Sequence, residues 1–154
     1  MNTPILHIAL YEPQIAPNTG NIARTCAATG VALHLIGRLG FRLDDRSLKR
    51  AGCDYWPHVA VQRHLDWEQF RASLPDLRVL AFSAHARQNY TQIRYQPGDC
   101  LLFGSETDGL PKVLLETVDV VLNLPMKTGH VRSLNLATAA GIAVYEALRQ
   151  VEGW

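Results

Sequence analysis

Cysteine is scarce: Cys26, Cys53 and Cys100 are the only three in 154 residues, and no two form a CxxC pair. An odd count without pairing spacing excludes a disulfide-stapled scaffold. It predicts reduced, structural thiols in a cytoplasmic protein. The six histidines make no HExxH and no zinc-finger spacing, so no metal site is expected. No apolar run approaches the ~20 residues that span a bilayer. The first residues, Met1-Asn2-Thr3-Pro4, lack the basic start of a signal peptide, so no membrane association is expected. Charge of either sign is also modest, with 15 Lys and Arg against 14 Asp and Glu. A net charge of +1 excludes polyanion binding through bulk charge, so a nucleic-acid partner would need a local basic patch. Repeats, low-complexity segments and Pro/Gly/Ser-rich linkers are absent, and residues 1–154 read as a single domain.

What is present is alternation. Ile5–Leu10, Val31–Ile36, Val59–Val61, Leu77–Phe82, Cys100–Phe103 and Val118–Leu124 read as strands. Between and after them, Asn18–Thr29, Asp44–Ala51, Trp67–Leu74, Lys112–Thr117 and a long segment from Leu134 onward read as helices. Asn18 and Ser133 are the expected N-caps of the first and last helices, Pro111 lies near N1 of the fourth, and Gly30 closes the first. The last helix is rich in small residues (Ala137, Ala139, Ala140, Gly141, Ala143), which suits close packing on the sheet or on a second subunit. Strand–helix alternation predicts an α/β fold with a mostly parallel sheet covered by helices on both faces. In such sheets ligands bind beyond the C-terminal strand ends.

Three polar stretches begin at or near predicted strand ends and so fall on one rim: Pro17–Arg24, Gly104–Pro111 and Leu124–Asn135. In the first, Gly20 permits close backbone approach and Arg24 offers a planar fork for phosphate. The second flanks a polar tip with Gly104 and Gly109, and its backbone N–H groups could face a nucleotide-like ligand. It matches neither GxGxxG nor a P-loop, and Glu106 within it could orient partners or stay solvated. The third carries Lys127, His130 and Arg132 ahead of Ser133 and Asn135, a phosphate-facing cluster. Taken singly, each stretch reads equally well as a capped helix or a connecting loop. A fourth feature is basic: Arg38, Arg42, Arg46, Lys49 and Arg50, with Arg46, Lys49 and Arg50 on one helix face, partly neutralised by Asp44 and Asp45. A solvated helix face explains it as readily as an RNA patch. His64 and His85 read as core or surface residues, and no GxSxG elbow is present.

Together these segments carry a resemblance. Tyr11-Glu12-Pro13-Gln14-Ile15-Ala16-Pro17-Asn18-Thr19-Gly20-Asn21-Ile22-Ala23-Arg24 resembles the first motif of the SPOUT RNA ribose methyltransferases. Leu102 to Pro111 resembles the second, and Leu124-Pro125-Met126 with Ser133-Leu134-Asn135-Leu136-Ala137 the third. Arg50-Ala51-Gly52-Cys53-Asp54-Tyr55-Trp56 is similar to a segment of the subgroup that methylates the wobble nucleotide of leucine tRNAs. Phe82-Ser83-Ala84-His85-Ala86 and Lys127-Thr128-Gly129-His130 depart from the family pattern.

The resemblance implies a C-terminal deep trefoil knot, against the usual rule of unknotted chains. It also implies a homodimer and S-adenosyl-L-methionine as methyl donor. Phe82, Gly104, Glu106, Leu124, Met126 and Ser133 are then expected at the cofactor, and Arg24, Ser133 and Asn135 at the reacting ribose. Arg38, Arg46, Arg50, Tyr55, Lys127 and Arg132 are expected at the anticodon stem-loop of a leucine tRNA. Because arginine stays protonated in proteins, Arg24 is expected first as a phosphate clamp that lowers the hydroxyl's pKa, with direct deprotonation by a neutralised Arg24 as the second option. The competing readings are a same-fold enzyme acting on ribosomal RNA or another tRNA site, a non-catalytic RNA-binding or assembly protein, and a flavodoxin-like nucleotide binder.

Overall fold

A computed structural model describes residues 3–44, 46 and 55–154. Among these, seven strands form one sheet: β1 (His7–Tyr11), β2 (Ala32–Ile36), β3 (Val61–His64), β4 (Val79–Phe82), β5 (Gln88–Asn89), β6 (Cys100–Phe103) and β7 (Val120–Asn123). Their order is β3-β2-β1-β6-β4-β7-β5, and every pairing is parallel. The helices are α1 (Ala16–Thr29), α2 (Trp67–Ser73), α3 (Lys112–Leu115) and α4 (Leu136–Glu152), with a 3₁₀ turn at Trp56–His58.

A parallel sheet sandwiched by helices must be apolar on both faces, which is why its strands read as unbroken apolar runs. On one face Ile8, Leu10, Leu33, Leu35, Leu80 and Leu101 pack with Ile22, Ala23 and Cys26 of α1 and with Ala140, Ala143, Val144 and Ala147 of α4. On the other, Ala9, Ile36, Val79, Ala81 and Leu102 pack with Phe70 of α2 and Leu114 of α3. The alanines of α4 let it lie close against α1 and β6. A Cβ on Gly141 would meet nothing, so that residue's smallness is not needed within the chain.

That second face also holds a row of histidines. His7, His34 and His64 stand on adjacent strands β1, β2 and β3, all buried. His7 Nδ1 lies 2.9 Å from His34 Nε2, and His34 Nδ1 lies 3.0 Å from His64 Nε2. Each contact needs one N–H and one lone pair, so the row is satisfied with all three rings neutral. Burial pushes each imidazole pKa down, His34 to about 3. At the N-terminal ends of β4 and β6, Arg78 grips Asp99 through Nε at 2.8 Å and Nη2 at 2.6 Å, and Asp99 is only 2% exposed.

Several boundaries differ from the sequence expectation. β3 begins at Val61, where the expected Val59–Val61 strand ends, because Trp56–His58 form a turn ahead of it. The short β5 pairs at the sheet edge and carries no apolar signal. Asn18 is not the N-cap of α1. The helix starts at Ala16 after Ile15, with Pro17 in its first turn, where a missing N–H costs nothing. Ser133 is not the N-cap of α4 either. Asn135 is, its Oδ1 accepting from Ala137 N at 2.9 Å and Thr138 N at 3.2 Å. Pro111 occupies the N-cap of α3 rather than N1. The expected helix Asp44–Ala51, with Lys49 and Arg50, and the stretch Arg50–Asp54, including Cys53, lie outside the described residues apart from Asp44 and Arg46. Cys26 and Cys100 are free, buried thiols, and burial pushes Cys26 up to about 12.

Candidate active site

Because all strands run the same way, their C-terminal ends make one rim. Tyr11, Phe82, Phe103 and Asn123 end β1, β4, β6 and β7 there, and the three polar stretches start from that rim. Phe82, Gly104 and Leu124 thus stand at the ends of three adjacent strands in the order β6-β4-β7. The rings of Phe82 and Phe103 stack there at 4.8 Å.

Glu106 joins the second stretch to the first. Its carboxylate accepts from the backbone N–H of Gln14 and of Ile15, both at 2.9 Å, and from Asn18 Nδ2 at 3.1 Å. The positive end of α1 therefore meets a fixed negative charge. Burial raises the Glu106 pKa, but the hydrogen bonds from Gln14, Asn18, its own backbone and Ile15 outweigh it, holding the carboxyl below the usual carboxylate range. Asn18 joins the first stretch to the third, its Oδ1 accepting from Asn135 Nδ2 at 3.0 Å. The buried Asn18 amide is thereby used on both sides. Its orientation is set by its partners, since a carboxylate can only accept.

The second stretch holds its own shape. Ser105 N donates to Gly109 O, Gly109 N to Ser105 O, and Asp108 N to Ser105 Oγ. Those three N–H groups are consumed inside the turn, contrary to the expectation that the loop presents its backbone donors to a ligand. The turn folds onto Gly104: a Cβ there would lie 2.1 Å from the carbonyl carbon of Gly109. Gly20 is also used internally, its carbonyl accepting from Tyr55 Oη at 2.5 Å. The Tyr55 hydroxyl thus pins α1 instead of standing free.

Arg24 projects from the exposed side of α1 with Asn21, Thr25 and Ala28, an i, i+3, i+4, i+7 face. With Asn135, Ala137, Thr138 and Tyr145 these residues line an open groove of about 420 Å³ between α1 and α4. Arg24 and Asn135, expected together at the reacting ribose, share one groove, and Ser133, expected with them, is not among its lining residues. Ser133 is exposed two residues before the α4 cap, in the same segment as exposed Lys127 and Arg132, while Met126 is half-buried. Arg38 and Arg46 are exposed beyond β2. Sequence reasoning missed the bridging use of Asn18. Its signal, an asparagine inside the first turn rather than before it, is readable only once the helix start is known.

Residues 5–145 match the SpoU rRNA Methylase family. A tRNA (cytidine(34)-2'-O)-methyltransferase of Saccharophagus degradans is 46% identical over 149 residues, 96% of each chain. A solved structure described as giving insights into 2-OH methylation of C/U34 on tRNA is 50% identical over 97% of both chains, with a TM-score of 0.90. The SpoU methyltransferase AviRb of Streptomyces viridochromogenes, solved with AdoMet, is 25% identical with a TM-score of 0.82, over 97% of this chain and 62% of that one. The chain therefore belongs to the SpoU methylase family of SPOUT methyltransferases.

Proposed function

We propose that this protein transfers a methyl group from S-adenosylmethionine to the ribose 2'-hydroxyl of the wobble nucleotide, cytidine or modified uridine 34, in leucine tRNAs. The observation that carries it is the hydrogen-bonded chain Glu106–Asn18–Asn135, which ties the three family motifs into one site beside the Arg24 groove. The relatives' names support the wobble position, and AdoMet bound in a fold-mate supports the methyl donor.

The residues at the β6-β4-β7 rim fit that donor: Phe82 and Leu124 stand at adjacent strand ends with Gly104, and with Met126 they offer apolar surface for an adenosyl group; Glu106 and Ser133 complete the proposed set. S-adenosylmethionine supplies a methyl on a sulfonium, an electrophile that needs no further activation. The protein's task is then to place an alcohol oxygen in line with that methyl and to stabilise charge as the proton leaves. Arg24 grips the phosphate next to the ribose, and the proton passes to a phosphate oxygen or water. Ser133 and Asn135 orient the ribose, and Asn135 is itself held by the α4 backbone and Asn18. Arg38, Arg46, Arg50, Lys127 and Arg132 hold the anticodon stem-loop, and Tyr55, whose hydroxyl is committed to Gly20 O, contributes only its ring.

The C-terminal part of the chain is threaded as a deep trefoil knot in this reading, and the protein works as a cytoplasmic homodimer. Ile142, Tyr145 and Trp154 are 37%, 49% and 65% exposed on or beside α4, and Gly141 leaves open space there. That surface supports a second copy packing on α4, which sedimentation would detect as a dimer.

Labelled S-adenosylmethionine, total tRNA and nucleoside mapping by mass spectrometry test the reading. A 2'-O-methyl gain at position 34 of leucine tRNA supports it. Methylation confined to ribosomal RNA, the substrate in the family's description, selects the alternative.

A further inference from the structure

We propose that Glu12 is a positioning residue that sets Arg38 and Arg63 side by side as a phosphate-binding pair for RNA; this rests on the RNA-methyltransferase reading above. Among the described residues, Glu12 alone combines a side chain with a left-handed backbone, at φ +50°. Such a conformation persists in a non-glycine residue only where its surroundings over-determine it. Here they do. Glu12 N donates to Ile36 O at 2.8 Å, and Glu12 O accepts from Gln14 Nε2 at 2.8 Å.

The turn aims the carboxylate across the end of β2. Oε2 accepts from the Arg38 backbone N–H at 3.2 Å. A Cβ on Gly37, at φ +78°, would lie 2.8 Å from the Glu12 side chain, so Glu12 also dictates the glycine. Gly37 N donates to His64 O at 3.0 Å, and Gly37 O accepts from Arg63 Nη2 at 3.4 Å. One peptide thus ties Arg38 to Arg63, both exposed on the rim that carries the active site. A carboxylate this close to a phosphate-binding pair repels the ligand. Its use lies in the backbone it holds.

That makes the sign of the effect diagnostic. If Glu12 acted only through charge, Glu12→Ala would tighten RNA binding. If it positions Arg38, Glu12→Ala weakens tRNA binding by about threefold to tenfold, the worth of one hydrogen bond. Glu12→Gln, which keeps an acceptor and removes the charge, binds at least as tightly as wild type. Arg38→Ala and Arg63→Ala each weaken binding and lower its salt slope by about 1. In the Arg38→Ala/Arg63→Ala background, Glu12→Ala has no further weakening effect, as a residue that acts through that pair requires.

The measurement is fluorescence anisotropy with a labelled leucine-tRNA anticodon stem-loop, alongside S-adenosylmethionine affinity and Tm. Equal or tighter binding by Glu12→Ala overturns the proposal. So does further weakening by Glu12→Ala in the Arg38→Ala/Arg63→Ala background, or parallel loss of S-adenosylmethionine binding, which marks a merely structural role. Wild-type protein that binds no RNA overturns the RNA reading itself, and the proposal with it.

Discussion

Asn18 shows how one amide can serve two charge environments. Its Nδ2 faces an ionised carboxylate at 3.1 Å and its Oδ1 faces the Asn135 amide at 3.0 Å. Removing the amide takes one of three donors from the half-buried Glu106 carboxylate and the acceptor from the exposed Asn135 Nδ2, at about 1 kcal/mol for each hydrogen bond lost. Asn18→Asp should be worse than Asn18→Ala, because it sets a second carboxylate against Glu106. Denaturant titration should show that order. Arg24 makes the complementary prediction for turnover. If its planar fork clamps phosphate, Arg24→Lys keeps the charge but loses the paired donors, and kcat should fall at least tenfold while the affinity for S-adenosylmethionine is unchanged. Near-full turnover in that variant would sink the clamp. Both residues were visible in the sequence as motif members. Their partners were not, because 117 positions separate Asn18 from Asn135 and no local pattern encodes such a pair.

At the scale of elements, the Gly104–Leu110 turn is the most constrained connection. Its backbone closes through Ser105 and Gly109, and the space above Gly104 is filled by the Gly109–Leu110 peptide, not by a flexible side chain. Gly104→Ala must therefore displace backbone. The expected result is loss of S-adenosylmethionine affinity by at least tenfold with a lower Tm, measured by calorimetry; an unaffected affinity would show that the turn does not shape the pocket. Helix starts were misread from sequence for one physical reason. Asn18 and Ser133 are good capping types, but a cap is chosen by where the chain turns. At α1 the acceptor is the Glu106 carboxylate, on another loop, and at α4 it is the uncharged amide oxygen of Asn135. α4 itself was legible, since its buried Ala140, Ala143, Val144, Ala147 and Leu148 repeat at helical spacing.

Across the molecule, the two sheet faces have different pH behaviour. The core under α1 and α4 is built of aliphatic and aromatic side chains with no histidine, whereas the other face holds His7, His34 and His64 in one hydrogen-bonded row. With its pKa pushed down from 6.5 to about 3 by burial and its two neighbours, folded His34 takes up fewer protons than the unfolded chain. The stability it supports is complete above pH 6.5 and declines as pH falls toward about 3. Tm measured across that window should drop with acid, and His34→Leu should make the slope shallower. An unchanged slope would place the acid sensitivity elsewhere. The Arg78–Asp99 pair at the N-terminal ends of β4 and β6 gives a contrasting expectation. Asp99→Ala should cost about 3 kcal/mol by stranding a half-buried guanidinium, with no effect on turnover because the active site lies at the other ends of the strands.

The parallel α/β architecture and the shared rim were determined by the sequence alone. Apolar runs that alternate with helical periodicity admit few other packings, and parallel strands force their exits to one side. Which residues meet on that rim was decided by tertiary structure. The order β6-β4-β7 brings Phe82, Gly104 and Leu124 together although they are far apart in the chain. Glu106, Asn18 and Asn135 become one chain of hydrogen bonds only when three loops converge. Likewise the histidines of β1, β2 and β3 become a row only through strand register, a long-range property that no local stretch of sequence carries.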